Sequence, residues 1–494
     1  MVLEITNKRT GPATEKPGYY YDGNIHSGEL TGAEVTLHFA WYLLSNYGID
    51  DRVTQLLDTR VIYIRPKFNP DGADISLNSI ENPRSTPRPY DEDLDGLLDE
   101  DGRNDLNGDG VFTQMRVKTD TGRWKISVED PRIMIRREDG DQKGEFYNIY
   151  SEGIDDDGDG RFNEDGLGGI DMNRNFPRNW GLESEQRGAG PFPLSEPETR
   201  ATIEFLNDHR NITGVFHGHT SGGFLFRLPS TIAWDTFVSE DQELIVELSD
   251  QYAKTTNQRV IPSYTNPNLH RHGTLISWSY WDFGVVGFVP EFWEAGKDYD
   301  GDGQISGLES MRWNDEELGG EGFVNWTKLE HPQLGEVEVG GWKRKFTFQN
   351  PPVQFLQSEI EKYVPWMFWL AEISPKVVIN NIEVSSLNSK DQMKLSVKVE
   401  NEGYLPTNLT QRAIDLEIAK PVRVIVELFD ATLISGSLRV ELGHMNGTRE
   451  NLNNNSGSTK TADFILKITG DNPSALITVI SEKGGTSRQL FDIK

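Results

Sequence analysis

The apolar pattern of this 494-residue chain changes once, near residue 375, and that change limits the architecture to two kinds of unit. Before it, helical and extended periodicities alternate. LTGAEVTLHFAWYLLSNYG (30–48) is apolar at helical spacing and ends at Gly48. RVIYIRPKFNPDG (60–72) is a β-branched run closed by turn residues. SEPETRATIEFLNDHR (195–210) opens a helix with a capping box from Ser195 to Glu198, with Pro197 in the first turn. ITGVFHGH (212–219) and VVGFVPEFW (285–293) read as buried strands, and DTFVSEDQELIVELSDQYAKTT (235–256) as a helix. PVQFLQSEIEKYVPWMFWLAEI (352–373) is a closing helix with a kink expected at Pro365. Alternation of this kind predicts an α/β domain over 1–374. Residues 78–168 are acidic, Gly-rich and aperiodic, and read as a long insertion.

After the linker ISPK (373–376), the chain is all strand. VVINNIEV, MKLSVKVEN, VRVIVELF, LRVEL, ADFILKI and LITVISE alternate apolar and polar residues between turn residues. That predicts an all-β sandwich over 375–494, a domain of about 115 residues.

Composition excludes several functions. There are no cysteines, so disulfides, thiolate metal sites and a Cys nucleophile are ruled out. A net charge of −29 argues against nucleic acid, whose phosphates would be repelled. No apolar run reaches the roughly 18 residues a membrane span needs. The opening MVLEITNK reads as a strand already under way, with the expectation that further N-terminal sequence, including a signal, precedes it. The acid is concentrated: residues 91–109, 155–165 and 298–309 carry −8, −5 and −4 of the −29.

The candidate metal ligands are histidines. Of nine, only His26 has an acid three residues on, Glu29 in GNIHSGE. On one helical turn that spacing aims two donors at one ion. A catalytic zinc needs a third protein ligand and an open position. His217 and His219 share a face at the end of their strand, and either can be that ligand. Glu291 is an acid among Phe, Val, Pro and Trp, where an ionised carboxylate is costly without a task. Asn173 and Arg174, in GIDMNRNFP, pair a neutral donor with a forked cation suited to a carboxylate.

Together and in order, HSGE, KFNPDG, MNRNFP, FHGHTSGG and GFVPEFW resemble motifs of the zinc carboxypeptidase (carboxypeptidase A-like) family over about residues 3–374. The resemblance implies a mixed twisted sheet flanked by helices, one catalytic Zn2+ and a peptide or protein substrate cut at its C-terminus. It implies His26, Glu29 and His219 as zinc ligands; carboxypeptidase A is itself a standard example of a His2Glu zinc site. It implies Glu291 as general base toward a zinc-activated water. Asn173 and Arg174 would hold the terminal carboxylate, and Arg116 in FTQMRVK the oxyanion. Ile276 falls at the specificity position, implying apolar C-terminal side chains, whereas Arg227 would favour acidic ones. The family's mobile Tyr position falls on Leu269, with Tyr280, His270 or His272 as substitutes. The family's first strands are mostly missing, which implies a bare sheet edge.

The acidic windows carry a second metal signal. DLNGDGVFT (Asp105, Asn107, Asp109) and DYDGDGQISGLE (Asp298, Asp300, Asp302, Glu309) place oxygens at positions 1, 3 and 5 and Gly at 6. DEDLDGLLDED (Asp91, Asp93, Asp95, Asp99) and DDDGDGRFNED (Asp155, Asp157, Asp159) are variants. They resemble dockerin- or thrombospondin-type calcium repeats, and predict several structural Ca2+ ions ordering the insertion and the loop after Glu291. The whole reads as a secreted or periplasmic metallocarboxypeptidase of bacterial type. The alternatives are a peptidoglycan-peptide amidase of the same family and a non-catalytic calcium-dependent adhesion protein. The C-terminal domain could contact wall or matrix.

Overall fold

A computed structural model describes residues 1–91, 96–141, 143–163, 165–262, 271–387, 389, 391–449 and 457–493. A seven-stranded sheet runs in the order Leu3–Ile5, Val61–Arg65, Gly18–Gly23, Ile212–Thr220, Gly287–Phe292, Phe224–Arg227, Arg259–Pro262. Its four central strands, Val61–Arg65 to Gly287–Phe292, are mutually parallel. Leu3–Ile5 joins antiparallel at one edge, and Phe224–Arg227 antiparallel beside Gly287–Phe292. The sheet is therefore mixed. The parallel strands are buried along their length, as sheets covered on both faces require. The sheet edge expected to be bare carries the three-residue strand Leu3–Ile5.

Helices Thr31–Asn46, Ser239–Thr256 and Val364–Glu372 are among those that flank this sheet. Trp366 is fully buried at the centre of the core, with Phe216 and Tyr252 rings 5.8 and 4.9 Å away. Tyr21 donates its hydroxyl to the Met367 carbonyl at 2.6 Å, fixing a sheet strand to a helix.

Several local expectations are corrected. Pro365 does not kink one helix: the segment is two helices, Val353–Lys362 and Val364–Glu372, with Pro365 in the first turn of the second. The capping box at Ser195 does not form. Asn175 donates to the Ser195 hydroxyl, which itself donates to Glu196, so a longer-range partner outcompetes the local one. Asn69 and Pro70, read as a turn, instead cap and start the helix Pro70–Asn78.

The insertion is not structureless. Gln114–Lys118, Trp124–Ile126, Met134–Arg136 and Tyr147–Ser151 join the distant hairpin Phe323–His331 and Gly335–Trp342 in a six-stranded sheet. Its own core is small, centred on Met115, Val337 and Val339. Strands of three to five residues leave too little periodicity to recognise.

From Val377 onward, two four-stranded antiparallel sheets face each other. Leu395, Val397 and Val399 of one sheet and Val422, Val424 and Val426 of the other meet in a separate core, the alternation of a sandwich. The segment after its second strand reaches back: Leu405 and Leu409 belong to the first core. Thr410 donates to the Gly284 carbonyl, and the Gln411 and Arg412 amides donate to buried Asp241. Lys483, also buried, donates to the Ile212 carbonyl at 2.8 Å.

Candidate metal centre and active site

Three parallel strands end side by side, and their carboxyl ends hold the site, as is general for such sheets. Register pairs Asp22 with His217, Gly23 with Gly218, and His219 with Glu291. Strand periodicity puts His217 and His219 on one face, yet they have different partners. His217 turns to Asp22, Nδ1 to Oδ1 2.5 Å, both fully buried. His219 turns to the segment after the strand Gly18–Gly23.

That segment is a turn, not the helical turn expected for His26 and Glu29; helix begins only at Thr31. Asn24, at φ 62°, donates its amide to the carbonyls of His26 and Ser27 and fixes the turn. Gly23 allows the helix to approach, since a Cβ there would lie 2.2 Å from the Gly32 carbonyl oxygen.

The turn brings three donors together. His26 Nδ1 lies 2.8 Å from Glu29 Oε1, His219 Nδ1 2.9 Å from Glu29 Oε2, and the two Nδ1 atoms 3.1 Å apart. All three residues are buried. Burial, then neighbouring His217, pushes the His219 pKa down to about 3, so its ring is the neutral species a metal requires. Burial alone would raise the Glu29 pKa, but His26 and His219 outweigh it and hold it low. Two ring nitrogens facing each other across a shared carboxylate is a donor set that fits a zinc ion.

The other ring atoms are also held. His26 Nε2 lies 3.1 Å from Asp171 Oδ1. Asp171 further accepts from the Asn173 amide and from Arg84 Nε at 2.9 Å. Burial pushes its pKa up, but Arg84 and His26 overcome this and keep it well below the carboxylate range. Such a carboxylate–histidine pair orients a metal ligand. Asn173 Nδ2 is 3.3 Å from His219 Nε2, and Asn173 Oδ1 accepts from the Leu275 amide. Arg174 follows in the same short turn, its guanidinium donating to the Asn173 carbonyl at 2.8 Å.

Glu291 sits at the strand end beside His219. Burial, then the charge of Glu29, raises its pKa well above the ordinary value. Trp293, two residues on, ties this strand end down. Its amide donates to Glu359, and its carbonyl accepts from Gly222, just beyond the His219 strand.

Arg116 is not at this cluster. It lies on the six-stranded sheet, bonded to Glu338 at 2.8 Å and stacked 4.5 Å over Trp326. The guanidinium at the cluster is Arg84, 3.5 Å from Glu29 as well as bonded to Asp171. Neither Arg84 nor Asp171 was singled out in the sequence, although Asp171 lies in the same MNRNFP segment as Asn173. Ile276 is buried on the helix Leu275–Trp281, packed toward Gly287. Tyr280 is buried and bonded to Asp241, which removes it as a mobile group. Arg227 donates to Leu228 and stacks on Trp234. Leu269 and His270 lie outside the described residues.

The acidic loops share one construction. Asp105, Asp155 and Asp298 each accept from the amides three and five residues on. Oxygens of Asp298, Asp300 and Asp302 converge, and those of Asp155 and Asp157 converge with Asp101, a residue not expected there. Asp109 and Asp159 turn to the amides two residues on, and Asn107 to Asp109. Glu309 accepts from the amides of Tyr299, Asp300 and Ser306, completing a true capping box on helix Gly307–Glu317. These bonds draw its pKa down to about 2. Asp91 accepts from Gly96, and Asp99 from Tyr90 and Gly168. Asp93 and Asp95 lie outside the described residues.

A fold and cluster of this kind define a metallopeptidase class, and sequence comparison places the chain within it. The zinc carboxypeptidase family matches residues 1–307, and the chain belongs to that family. Residues 376–491 match a family described only as a domain of unknown function. Carboxypeptidase D of Anas platyrhynchos is 38% identical over 71 residues, 14% of this chain and 5% of that one. Carboxypeptidase M of Mus musculus is 43% identical over 56 residues, 11% and 13% of the two chains. Carboxypeptidase SOL1 of Arabidopsis thaliana is 31% identical over 100 residues, 19% and 20%. The matched stretches thus span at most a fifth of these relatives. Among solved structures, thrombin-activatable fibrinolysis inhibitor aligns at 14% identity and TM-score 0.42, covering 75% of this chain and 64% of that one. Carboxypeptidase A of Helicoverpa armigera aligns at 15% identity and TM-score 0.37, covering 65% and 64%.

Proposed function

We propose that the chain is a zinc-dependent carboxypeptidase that hydrolyses the C-terminal bond of peptides or proteins. The observation that carries this reading is the register of Glu291 beside His219, with His26 and Glu29 next to them and the charges of Arg84, Arg271 and Arg174 acting on Glu291. His26, Glu29 and His219 would hold Zn2+, which supplies Lewis-acid polarisation of the scissile carbonyl. Glu291 takes a proton from the attacking water and passes it to the leaving amine. A carboxylate with a raised pKa is suited to both transfers. Arg84 faces the developing negative charge. Asn173 and Arg174 hold the substrate carboxylate. Ile276, next to the Leu275 amide that Asn173 grips, forms the apolar floor beneath the last side chain.

Calcium belongs to the same reading. The shared amide pattern of the three loops holds their carboxylates in readiness, and oxygens of Asp298, Asp300 and Asp302 converge within one loop. Calcium at these loops suits a protein that works outside the cell, where the ion is abundant.

The test is release of C-terminal amino acids from a mixed peptide pool by the wild type, with and without a zinc chelator, and by Glu291→Gln. Release that needs zinc and is lost in the variant is expected. Equal release by the variant would remove Glu291 from its role, and no release by the wild type would end the peptidase reading.

A further inference from the structure

A cleft of about 1280 Å³ opens from the cluster and runs between the seven-stranded and six-stranded sheets. It starts at Glu29, Arg84 and Thr220, and reaches neither Asn173 nor Arg174. A peptide whose carboxylate end rests on that asparagine–arginine pair therefore enters the cleft with the residues upstream of the scissile bond. The volume exceeds what one side chain needs and suits an extended segment.

The charge of this cleft is opposite to that of the protein. Acids outnumber bases 78 to 49 in the chain. Yet among the described residues, beyond Arg84 and Glu29, the charged lining is Arg103, Lys343, Arg344 and Lys345 against Glu321. Two of these cations are committed. Arg103 lies 3.8 Å from Glu81 and donates to the Ile80 carbonyl. Lys345 donates to the Ser76 and Ser79 carbonyls, each at 2.8 Å. The crowding shows in Lys345, whose pKa falls to about 8 through burial and then through the charge of Arg103. Lys343 and Arg344 are the remaining pair: among the described residues neither forms an ion pair, and Arg344 is exposed. Both follow the hairpin strand Gly335–Trp342, so the six-stranded sheet places them on the wall facing the site.

We propose that this cleft selects peptides carrying acidic residues upstream of the cleaved bond, with Lys343 and Arg344 as the residues that read them. The inference rests on the carboxypeptidase reading for the direction in which the peptide lies. Uncommitted cations on the wall of a cleft whose lining is mainly basic attract carboxylates both at long range and on contact.

The test uses the zinc-loaded full chain carrying Glu291→Gln, to hold peptides without cutting them. Two labelled peptides are compared: one with three Glu before its last two residues, the other with three Gln there. The Glu peptide is expected to bind about tenfold tighter at low salt, the sum of two modest ion pairs. That advantage should shrink at about 0.5 M salt, through screening. Adding Lys343→Ala and Arg344→Ala should bring the ratio to about twofold. Equal binding of the two peptides, or a ratio that survives in the variant, overturns the proposal. Turnover of both peptides by the wild type separates the two readings. If neither is cut while the binding ratio follows Lys343 and Arg344, the peptidase reading falls and the acid-selective cleft stands. If both are cut and the ratio is one, the reverse holds.

Discussion

The two metal-suited regions of this protein are prepared in opposite ways. The His26–Glu29–His219 cluster is buried, and its donors are held by one another and by Asp171 and Asn173. The Asp298–Asp300–Asp302 loop is largely exposed, and its carboxylates are held by backbone amides of the loop itself. In the first, burial keeps His219 unprotonated and raises Glu291. In the second, local amides keep an acid such as Glu309 ionised. Desolvation tunes a site for chemistry, whereas amide-held acids in water serve only to bind and to brace.

The sharpest way to break this comparison is at Glu291. Glu291→Gln should lower kcat by about 10²–10⁴-fold, the usual worth of a general base. Stability should not fall with it. A carboxylate whose folded pKa is raised stabilises the fold only while protonated, and that contribution is lost as pH rises from the ordinary value through the raised one. At neutral pH the variant should therefore melt no lower than the wild type. A large loss of Tm together with activity would mean that the acid is structural, like Asp241.

Arg84 and Arg116 give the next contrast. Arg84→Ala should cost about 10²-fold in kcat, as loss of an oxyanion partner does. Arg116→Ala should leave kcat within about twofold and lower Tm, because it strips a buried partner from Glu338. The reverse pattern would return the sequence assignment to Arg116.

That pair also shows what could be read from sequence. The strand-end positions of His219 and Glu291 were legible because both lie in short, mostly apolar runs of the kind a strand buried on both faces needs. The choice of His219 over His217 came from the family resemblance. His26 and Glu29 were legible by spacing, although the spacing misled about conformation: a turn braced by Asn24 does what one helical turn was expected to do. Arg84 was not legible. It lies in an aperiodic stretch, and only the return of the chain beside Asp171, 87 residues on, gives it a role. The six-stranded sheet was hidden for the same reason, since it pairs strands more than two hundred residues apart, such as Arg116 with Glu338, and buries few side chains. The sandwich, built of long alternating strands, was plain.

A smaller effect tests the buried half of the comparison alone. With His219 held near pKa 3 in the fold and free to protonate near 6.5 when unfolded, the unfolded chain binds more protons between those values. Stability of the zinc-free protein should therefore fall as pH drops from about 6.5 toward 3. His219→Asn should flatten part of that slope in denaturant titrations across this range. An unchanged slope would show that His219 is already protonated in the fold.

The smallest effect concerns the exposed half. If the amide-held loops bind Ca2+, the folded state gains stability as the logarithm of calcium over Kd, about 2.7 kcal/mol at a hundredfold excess. Spread over a chain of this size, that is a rise of only a few degrees in Tm. Asp298→Asn removes one charge from a partly exposed loop and gives up only one of the two amide contacts, to Gly301 or Gly303, because each is accepted by a different oxygen. It should therefore leave the calcium-free Tm nearly unchanged while reducing the calcium-induced rise. Measured with a calcium-selective chelator, so that zinc stays in place, this separates the two regions. A variant that loses stability without calcium would show that the loop braces the strand end after Glu291 by its amides alone.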